Sequence, residues 1–304
     1  KSDFLTQGPQ VPAFEQAIAR HSQVPHAVAV NSATSGLHIA CLALGLKPGD
    51  WLWTTPITFV ASANCALYCG AQVDFVDIES STGNICVQAL EAKLAQAERE
   101  GRLPKIVVPV HFGGQPCDMA QIHELSLRYG FKIIEDASHA IGARYKGQPV
   151  GSGRYSDITV FSFHPVKIIT TGEGGVATTN DHELARRLAL LRSHGITRDE
   201  QFMTKPTEGT WYYQQIELGF NYRMTDMQAA LGLSQLDRLE DFVAARTKIA
   251  EQYTADLHGL SLILPWQHPD TQSSWHLYVL RLIDDIQRKQ VVENLRAAGV
   301  LSNV

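Results

Sequence analysis

Short apolar runs along the chain alternate with stretches in which apolar residues recur at helical spacing. The runs predict strands at His26–Asn31, Trp51–Thr54, Gln72–Asp77, Ile106–Val110, Lys132–Asp136 and Ile158–Phe163. Helical patterns fall between and beyond them, at Ser35–Leu44, Phe59–Cys69, Val87–Glu100, Met119–Tyr129 and His182–Ser193. Continuous apolar strands separated by helices indicate an α/β domain on a mainly parallel sheet.

The pattern changes after about Asn221. A long helical region is expected from Thr225 to about Leu257, with Thr225 as N-cap and Asp226 in the first turn. A strand near Leu277–Leu282 and a helix near Asp284–Ala298 follow. Residues 1–235 are therefore expected to form a large domain, and residues 236–304 a smaller α+β C-terminal one. The chain opens abruptly at Lys1 and stops at Gly299-Val300-Leu301-Ser302-Asn303-Val304, which reads as an incipient strand, so both ends look cut.

Composition narrows the class. With 304 residues the chain can bury a substantial core, and 44% hydrophobic with 19% charged residues is ordinary for a soluble globular protein. A net charge of −5 argues against a general nucleic-acid or membrane-surface binder, while leaving room for a local phosphate pocket. No apolar run is long enough to span a bilayer and no signal peptide opens the chain. The five cysteines are odd in number and form no CxxC pair, which argues against a disulfide framework or zinc ribbon and fits a reducing cytoplasm. His111, His139 and His164 share no metal-ligand spacing, so no metal is expected.

The richest chemistry surrounds Lys167. Ser162 precedes it by five residues, and Thr170-Thr171-Gly172-Glu173-Gly174-Gly175 follows. That arrangement suits a lysine forming a Schiff base with an aldehyde cofactor whose phosphate is held nearby, namely pyridoxal phosphate (PLP). Such a cofactor demands a carboxylate for its ring nitrogen, donors for its phosphate and an aromatic partner for its ring. Asn31-Ser32-Ala33-Thr34-Ser35-Gly36 joins a strand to a helix and is the candidate phosphate turn; alone it is equally an ordinary N-cap. Asp136 ends a strand, where open parallel sheets bind ligands; alone it also reads as a capping aspartate. His139 lies three residues on, placed either to meet the ring hydroxyl or to orient Asp136. Phe59 opens a helix and is the candidate stacking residue, the plain alternative being core.

The combination resembles the DegT/StrS group of PLP-dependent nucleotide-sugar aminotransferases. The resemblance runs from Phe4 to about Val304. It rests on Leu5-Thr6-Gln7-Gly8-Pro9, Asn31-Ser32-Ala33-Thr34-Ser35, Thr58-Phe59-Val60-Ala61, Glu135-Asp136-Ala137-Ser138-His139-Ala140, Ser162-Phe163-His164-Pro165-Val166-Lys167, Glu173-Gly174-Gly175, Arg192-Ser193-His194-Gly195 and Leu218-Gly219-Phe220-Asn221-Tyr222-Arg223. It implies fold type I, the aspartate-aminotransferase-like architecture: a mainly parallel sheet in a three-layer large domain, plus a smaller α+β domain. It also implies a cytoplasmic homodimer with shared active sites.

By the same resemblance, Lys167 is the Schiff-base lysine and proton shuttle, Asp136 pairs with the pyridinium nitrogen, Phe59 stacks on the ring and His139 sits at its oxygen edge. Ala33, Thr34 and Ser162 hold the phosphate, with Asn221 reaching it from the other subunit. The segment Asp3, Phe4, Leu5 and Thr6 lines the sugar-nucleotide pocket. Arg223 either attracts substrate anions or is a structural ion-pair partner. Within the group, His164-Pro165-Val166-Lys167, the Asn31–Ser35 turn and Thr55–Ala61 are most similar to enzymes of the pseudaminic-acid pathway. That implies transfer from L-glutamate to C4 of a UDP-linked 4-keto-6-deoxy-N-acetylhexosamine. The rival readings are action at C3 or on a GDP- or dTDP-linked ketosugar, and a non-catalytic PLP- or sugar-binding regulator of the same fold. A plain nucleotide-binding domain lacks support, because neither a Gly-x-Gly-x-x-Gly after the first strand nor a Walker-type loop is present.

Overall fold

A computed structural model describes residues 4–283 and 287–304. The apolar runs become β1 (His26–Val30), β2 (Trp51–Thr54), β3 (Gln72–Phe75), β4 (Ile106–Val107) and β5 (Lys132–Asp136). A small hairpin, β6 (Arg144–Tyr145) with β7 (Gln148–Pro149), precedes β8 (Ile158–Ser162) and β9 (Gly175–Thr179). The helices are α1 (Gln10–Ser22), α2 (Ala33–Ala43), α3 (Ala61–Tyr68), α4 (Val87–Glu100), α5 (Met119–Tyr129), α6 (His182–Arg192), α7 (Asp226–Leu236), α8 (Leu239–Asp256) and α9 (Arg288–Ala297).

Seven strands form one sheet in the order β1-β9-β8-β5-β4-β2-β3. Six point the same way, and β9 alone runs antiparallel, between β1 and β8. Side chains alternate across this sheet as the pleat requires. Val28, Val30, Leu52, Ile106, Ile134, Val160 and Ala177 face one way, against α2, α3 and α6 residues such as Leu37, Cys65 and Leu188. Their neighbours face the other way. Ala29, Phe161 and Val176 meet Phe14, Ile18 and Ala229 of α1 and α7, while Trp53, Val107 and Ile133 meet Leu90, Leu94 and Ile122 of α4 and α5. The result is a three-layer α/β sandwich.

Three differences from the expected elements have physical causes. β9 was not expected, because no helix separates it from β8 and βα alternation therefore gives no signal for it. The expected strand at Leu277–Leu282 shrinks to Arg281–Leu282, paired with Leu262–Ile263. Residues upstream have other partners: the Leu277 N–H donates to the Gly113 carbonyl (3.1 Å) and the Ser274 N–H to the Gly114 carbonyl (3.2 Å). The long helix after Thr225 turns at Asp237–Arg238 and becomes α7 and α8, which lets Leu239 bury beneath it. The expected start of the last helix, Asp284, lies outside the described residues.

Gly175 opens β9 where a Cβ would lie 2.7 Å from the Ala33 backbone nitrogen and 2.8 Å from the Ser32 carbonyl carbon. The start of α2 thus lies against β9 only because this residue has no side chain. Gly175→Ala is expected to lower stability by about 1–3 kcal/mol, the usual cost of forcing atoms into a filled space. A urea midpoint that falls at constant slope would show it.

Candidate active site

The six parallel strands end at one edge of the sheet, the edge where such sheets bind ligands. β1 runs there into Asn31 and α2, β5 ends there with Asp136, and β8 with Ser162. Because β9 runs backwards, it starts at the same edge, with Gly175 paired to Ser162. Residues 163–174 therefore leave and return to one place. The loop is closed at its base by Phe163 N–H to the Gly174 carbonyl (2.9 Å) and by Thr171 N–H to the Phe163 carbonyl (3.0 Å). Thr170 Oγ1 adds a bond to that same carbonyl at 2.9 Å. Lys167 sits in this loop, its N–H donating to the His164 carbonyl at 2.9 Å. His164 is exposed and faces Glu173 across the loop at 3.6 Å.

α2 begins two residues earlier than its apolar pattern suggested. Ser32 is the N-cap, and its hydroxyl accepts the Ser35 N–H at 3.1 Å. The Ser35 hydroxyl donates to Asn31 Oδ1 at 2.7 Å. Ala33 and Thr34 thus occupy the first turn, whose N–H groups have no acceptor within a helix. Buried Ser162 lies on the strand beside this turn, with Gly175 between.

Asp136 is only 4% exposed. Its Oδ2 accepts the Ser62 hydroxyl at 2.6 Å and its Oδ1 the Ser138 N–H at 3.1 Å. A buried carboxylate needs such partners to remain charged. Burial holds the Lys167 amine below its usual pKa, and the nearby negative charge of Asp136 opposes that effect. The His139 pKa is lowered to about 3 by burial, reinforced by the positive charge of Lys167. His139 Nδ1 accepts the Gly113 N–H at 3.3 Å, so its proton sits on Nε2. Its ring lies 4.3 Å from that of His276, whose pKa is lowered to about 3 chiefly by burial, then by His139 and Lys167. The neighbour of Asp136 faces the opposite way: Glu135 Oε2 accepts from His111 Nε2 at 2.7 Å, and His111 Nδ1 accepts the Cys117 N–H at 3.1 Å. His111 is thereby committed to a buried structural pair.

Phe59 stands at the mouth of α3 and is 72% exposed, which rules out the core alternative. Asn221 is also exposed; its carbonyl accepts from Asn31 Nδ2 at 3.4 Å, beside the α2 turn. Arg223 is half-buried two residues further on. Of the expected sugar-lining segment, Asp3 lies outside the described residues, and Phe4 and Leu5 are exposed. Thr6 bridges to Thr225. The segment is strapped to the start of α7, where buried Asp226 accepts the Gly8 N–H (2.9 Å) and the Gln10 N–H (3.1 Å). Sequence reasoning missed three residues here: Ser62, His276 and the anchoring role of Asp226. Only Ser62 left a usable trace, being one helical turn after Phe59.

Half-buried Lys167 thus lies near buried Asp136 at the sheet edge, beside the start of α2. The chain belongs to the DegT/DnrJ/EryC1/StrS aminotransferase family, whose model matches residues 1–304. It is 41% identical over 305 residues to the UDP-4-amino-4,6-dideoxy-N-acetyl-beta-L-altrosamine transaminase of Campylobacter jejuni subsp. jejuni serotype O:23/36 (strain 81-176), covering 99% of this chain and 76% of that protein. The structure of Helicobacter pylori PseC, an aminotransferase of pseudoaminic acid biosynthesis, superposes with a TM-score of 0.88 at 32% identity, covering 100% of this chain and 78% of that one. The PLP form of the Streptococcus pneumoniae sugar aminotransferase Spr1654 gives 0.88 at 29% identity, with 100% and 79% covered. The protein is accordingly a PLP-dependent aminotransferase of fold type I.

The residues present suit that cofactor. The missing side chain of Gly175 lets the α2 turn lie beside Ser162, and the Ala33 and Thr34 N–H groups at that helix start suit an anion.

Neutral His139 and His276 predict a pH effect on the cofactor-free protein. Their folded pKa values, about 3, lie below the unfolded value near 6.5, so the unfolded chain binds more protons between those limits. Their contribution is complete above pH 6.5 and is lost as pH falls toward 3. Urea unfolding at pH 7 and at pH 5.5 should differ by up to about 1.4 kcal/mol for each histidine. His276→Gln should remove roughly half of that difference.

Proposed function

We propose that the enzyme transfers the amino group of L-glutamate to C4 of a UDP-linked 4-keto-6-deoxy-N-acetylhexosamine, giving UDP-4-amino-4,6-dideoxy-N-acetyl-β-L-altrosamine. It does so as a cytoplasmic homodimer. The observation that carries the chemistry is Lys167, half-buried opposite Asp136 at the sheet edge. The identity to the C. jejuni enzyme supports the substrate. When bound, the cofactor holds the amino group between donor and acceptor and draws off carbanion charge.

The side chains divide the remaining work. Lys167 must be an uncharged amine to remove a proton, and burial moves it in that direction. Its Nζ takes the proton from the glutamate α-carbon and, in the second half-reaction, supplies one at C4 of the sugar. Because the amino group is held on the enzyme after the first product leaves, donor and acceptor use the site in turn and the kinetics are ping-pong. Asp136 keeps the ring nitrogen positively charged. With the cofactor bound, His139 would offer its Nε2–H to the ring's oxygen edge and Phe59 would supply the aromatic partner for a ring face. Ala33, Thr34 and Ser162 hold the phosphate, with Asn221 of the partner subunit completing the shell. Phe4, Leu5 and Thr6 line the sugar-nucleotide pocket. No helix among the described residues is long and apolar enough to cross a membrane.

Mass spectrometry of the product from the UDP-4-ketosugar and glutamate tests the reading. An added amine at C4 is expected. Turnover only with a 3-ketosugar, or with a GDP- or dTDP-linked one, would overturn the substrate; amino transfer to no ketosugar despite bound PLP would favour a regulator. Lys167→Ala should abolish both turnover and the yellow colour of the holoenzyme, and retention of both would remove Lys167 from its role. Asn221→Ala should weaken cofactor retention about tenfold, the loss of one hydrogen bond to a charged group. Full activity in a strictly monomeric species would contradict the shared site.

A further inference from the structure

We propose that Ser62 is the positioning residue for Asp136, and through it for the cofactor ring nitrogen. The proposal rests on the reading of Asp136 as the partner of that nitrogen. Ser62 is completely buried, and its hydroxyl lies 2.6 Å from Asp136 Oδ2, the length of a charge-assisted bond. The other carboxylate oxygen is held by the Ser138 N–H, in the turn after β5. The carboxylate is therefore pinned from two elements, one at each oxygen. Neither bond alone would stop it swinging about the Cβ–Cγ axis.

The direction of the hydrogen bonds follows from proton counting. An ionised carboxylate only accepts, and a serine has one hydroxyl proton to give. The Ser62 proton is committed to Asp136. Thr58 Oγ1, 2.7 Å from Ser62 Oγ, must then donate to Ser62. The resulting chain runs from Thr58 through Ser62 to Asp136, and each donor stabilises the charge beyond it.

The same turn carries the ring-stacking candidate. The Ser62 N–H donates to the Phe59 carbonyl at 3.1 Å. Phe59 is exposed and Ser62 buried, so one turn of backbone presents the aromatic outward and the hydroxyl inward. The group on the ring face and the group aiming the carboxylate are thus mechanically one unit. The attraction between the carboxylate and a positive ring nitrogen falls with separation, so a carboxylate free to turn would hold that charge less well.

The test compares Ser62→Ala, Ser62→Thr, Thr58→Val and Asp136→Asn. Each protein is stripped of cofactor and titrated with PLP, and the visible band of the reconstituted enzyme is followed against pH. Ser62→Ala is expected to bind PLP about tenfold more weakly, the loss of one bond to a charged group. Its band midpoint should move in the same direction as in Asp136→Asn, by less. Its kcat should fall while the KM for glutamate stays within about twofold, because Ser62 touches no substrate. Ser62→Thr should restore the midpoint, and Thr58→Val should give a smaller displacement of the same sign.

An unchanged midpoint and affinity in folded Ser62→Ala, with Asp136→Asn strongly altered, would overturn the role of Ser62 alone. An unaltered Asp136→Asn would overturn the role of Asp136 and this inference with it. If Ser62→Ala does not fold, Thr58→Val decides: a displaced midpoint supports the relay, and an undisplaced one overturns it.

Discussion

Lys167 is governed by two opposed forces, and the surrounding structure sets their balance. Burial strips water from the amine and favours its neutral form, while the charge of Asp136 favours the ammonium. A more exposed lysine would stay protonated and could not remove a proton from carbon. A more deeply buried one, without its counter-charge, would lose any means of holding the proton it takes. The loop that carries Lys167 is anchored at both ends to the sheet edge, and Asp136 is fixed by β5 and by two hydrogen bonds. The backbone that carries Lys167 and the carboxylate of Asp136 are therefore both tied to the same sheet edge.

The reversal of β9 makes that arrangement possible. A parallel crossover after β8 would carry the chain to the far edge of the sheet through a helix. Running backwards, β9 instead starts at the edge where β8 ends, and the connecting loop stays over the site. The same reversal brings Gly175 against the start of α2, so the phosphate-binding elements and the lysine loop share one strand pair. The polar groups at this edge then lie on strand ends, loops and the start of α2, where the first backbone N–H groups of the helix have no acceptor within it.

How much of this could be read from residues alone varied with the range of the interaction. Most of the parallel strands were legible from apolar runs, β3 (Gln72-Val73-Asp74-Phe75) only from alternation, and Thr225 because a threonine followed by an aspartate is a local helix-start signature. β9 was hidden, since Gly175-Val176-Ala177-Thr178-Thr179 follows directly on a glycine-rich stretch read for its chemistry. Lys167, Asp136 and Ser162 stood out as residue types in a telling order, and the fold brings all three to one edge. A residue's own position can leave a trace, as Ser62 does, but its distant partner was invisible: Ser62 meets Asp136 across 74 residues, and Asp226 meets Gly8 across 218. No periodicity or motif encodes such pairings; only the closed topology does.

Cofactor chemistry and substrate choice are consequently written in different parts of the molecule. The groups proposed to serve the cofactor stand at strand ends and helix starts, where a packed core leaves them little freedom. The segment expected to line the sugar pocket is a strap, held to α7 by backbone bonds to Asp226, with Phe4 and Leu5 exposed. The bonds that anchor this strap to Asp226 come from the main-chain N–H groups of Gly8 and Gln10, outside the sheet. On the proposed reading, the catalytic arrangement can stay constant while the sugar that reaches it changes, because the groups that meet the cofactor and those that meet the sugar belong to different segments of the chain.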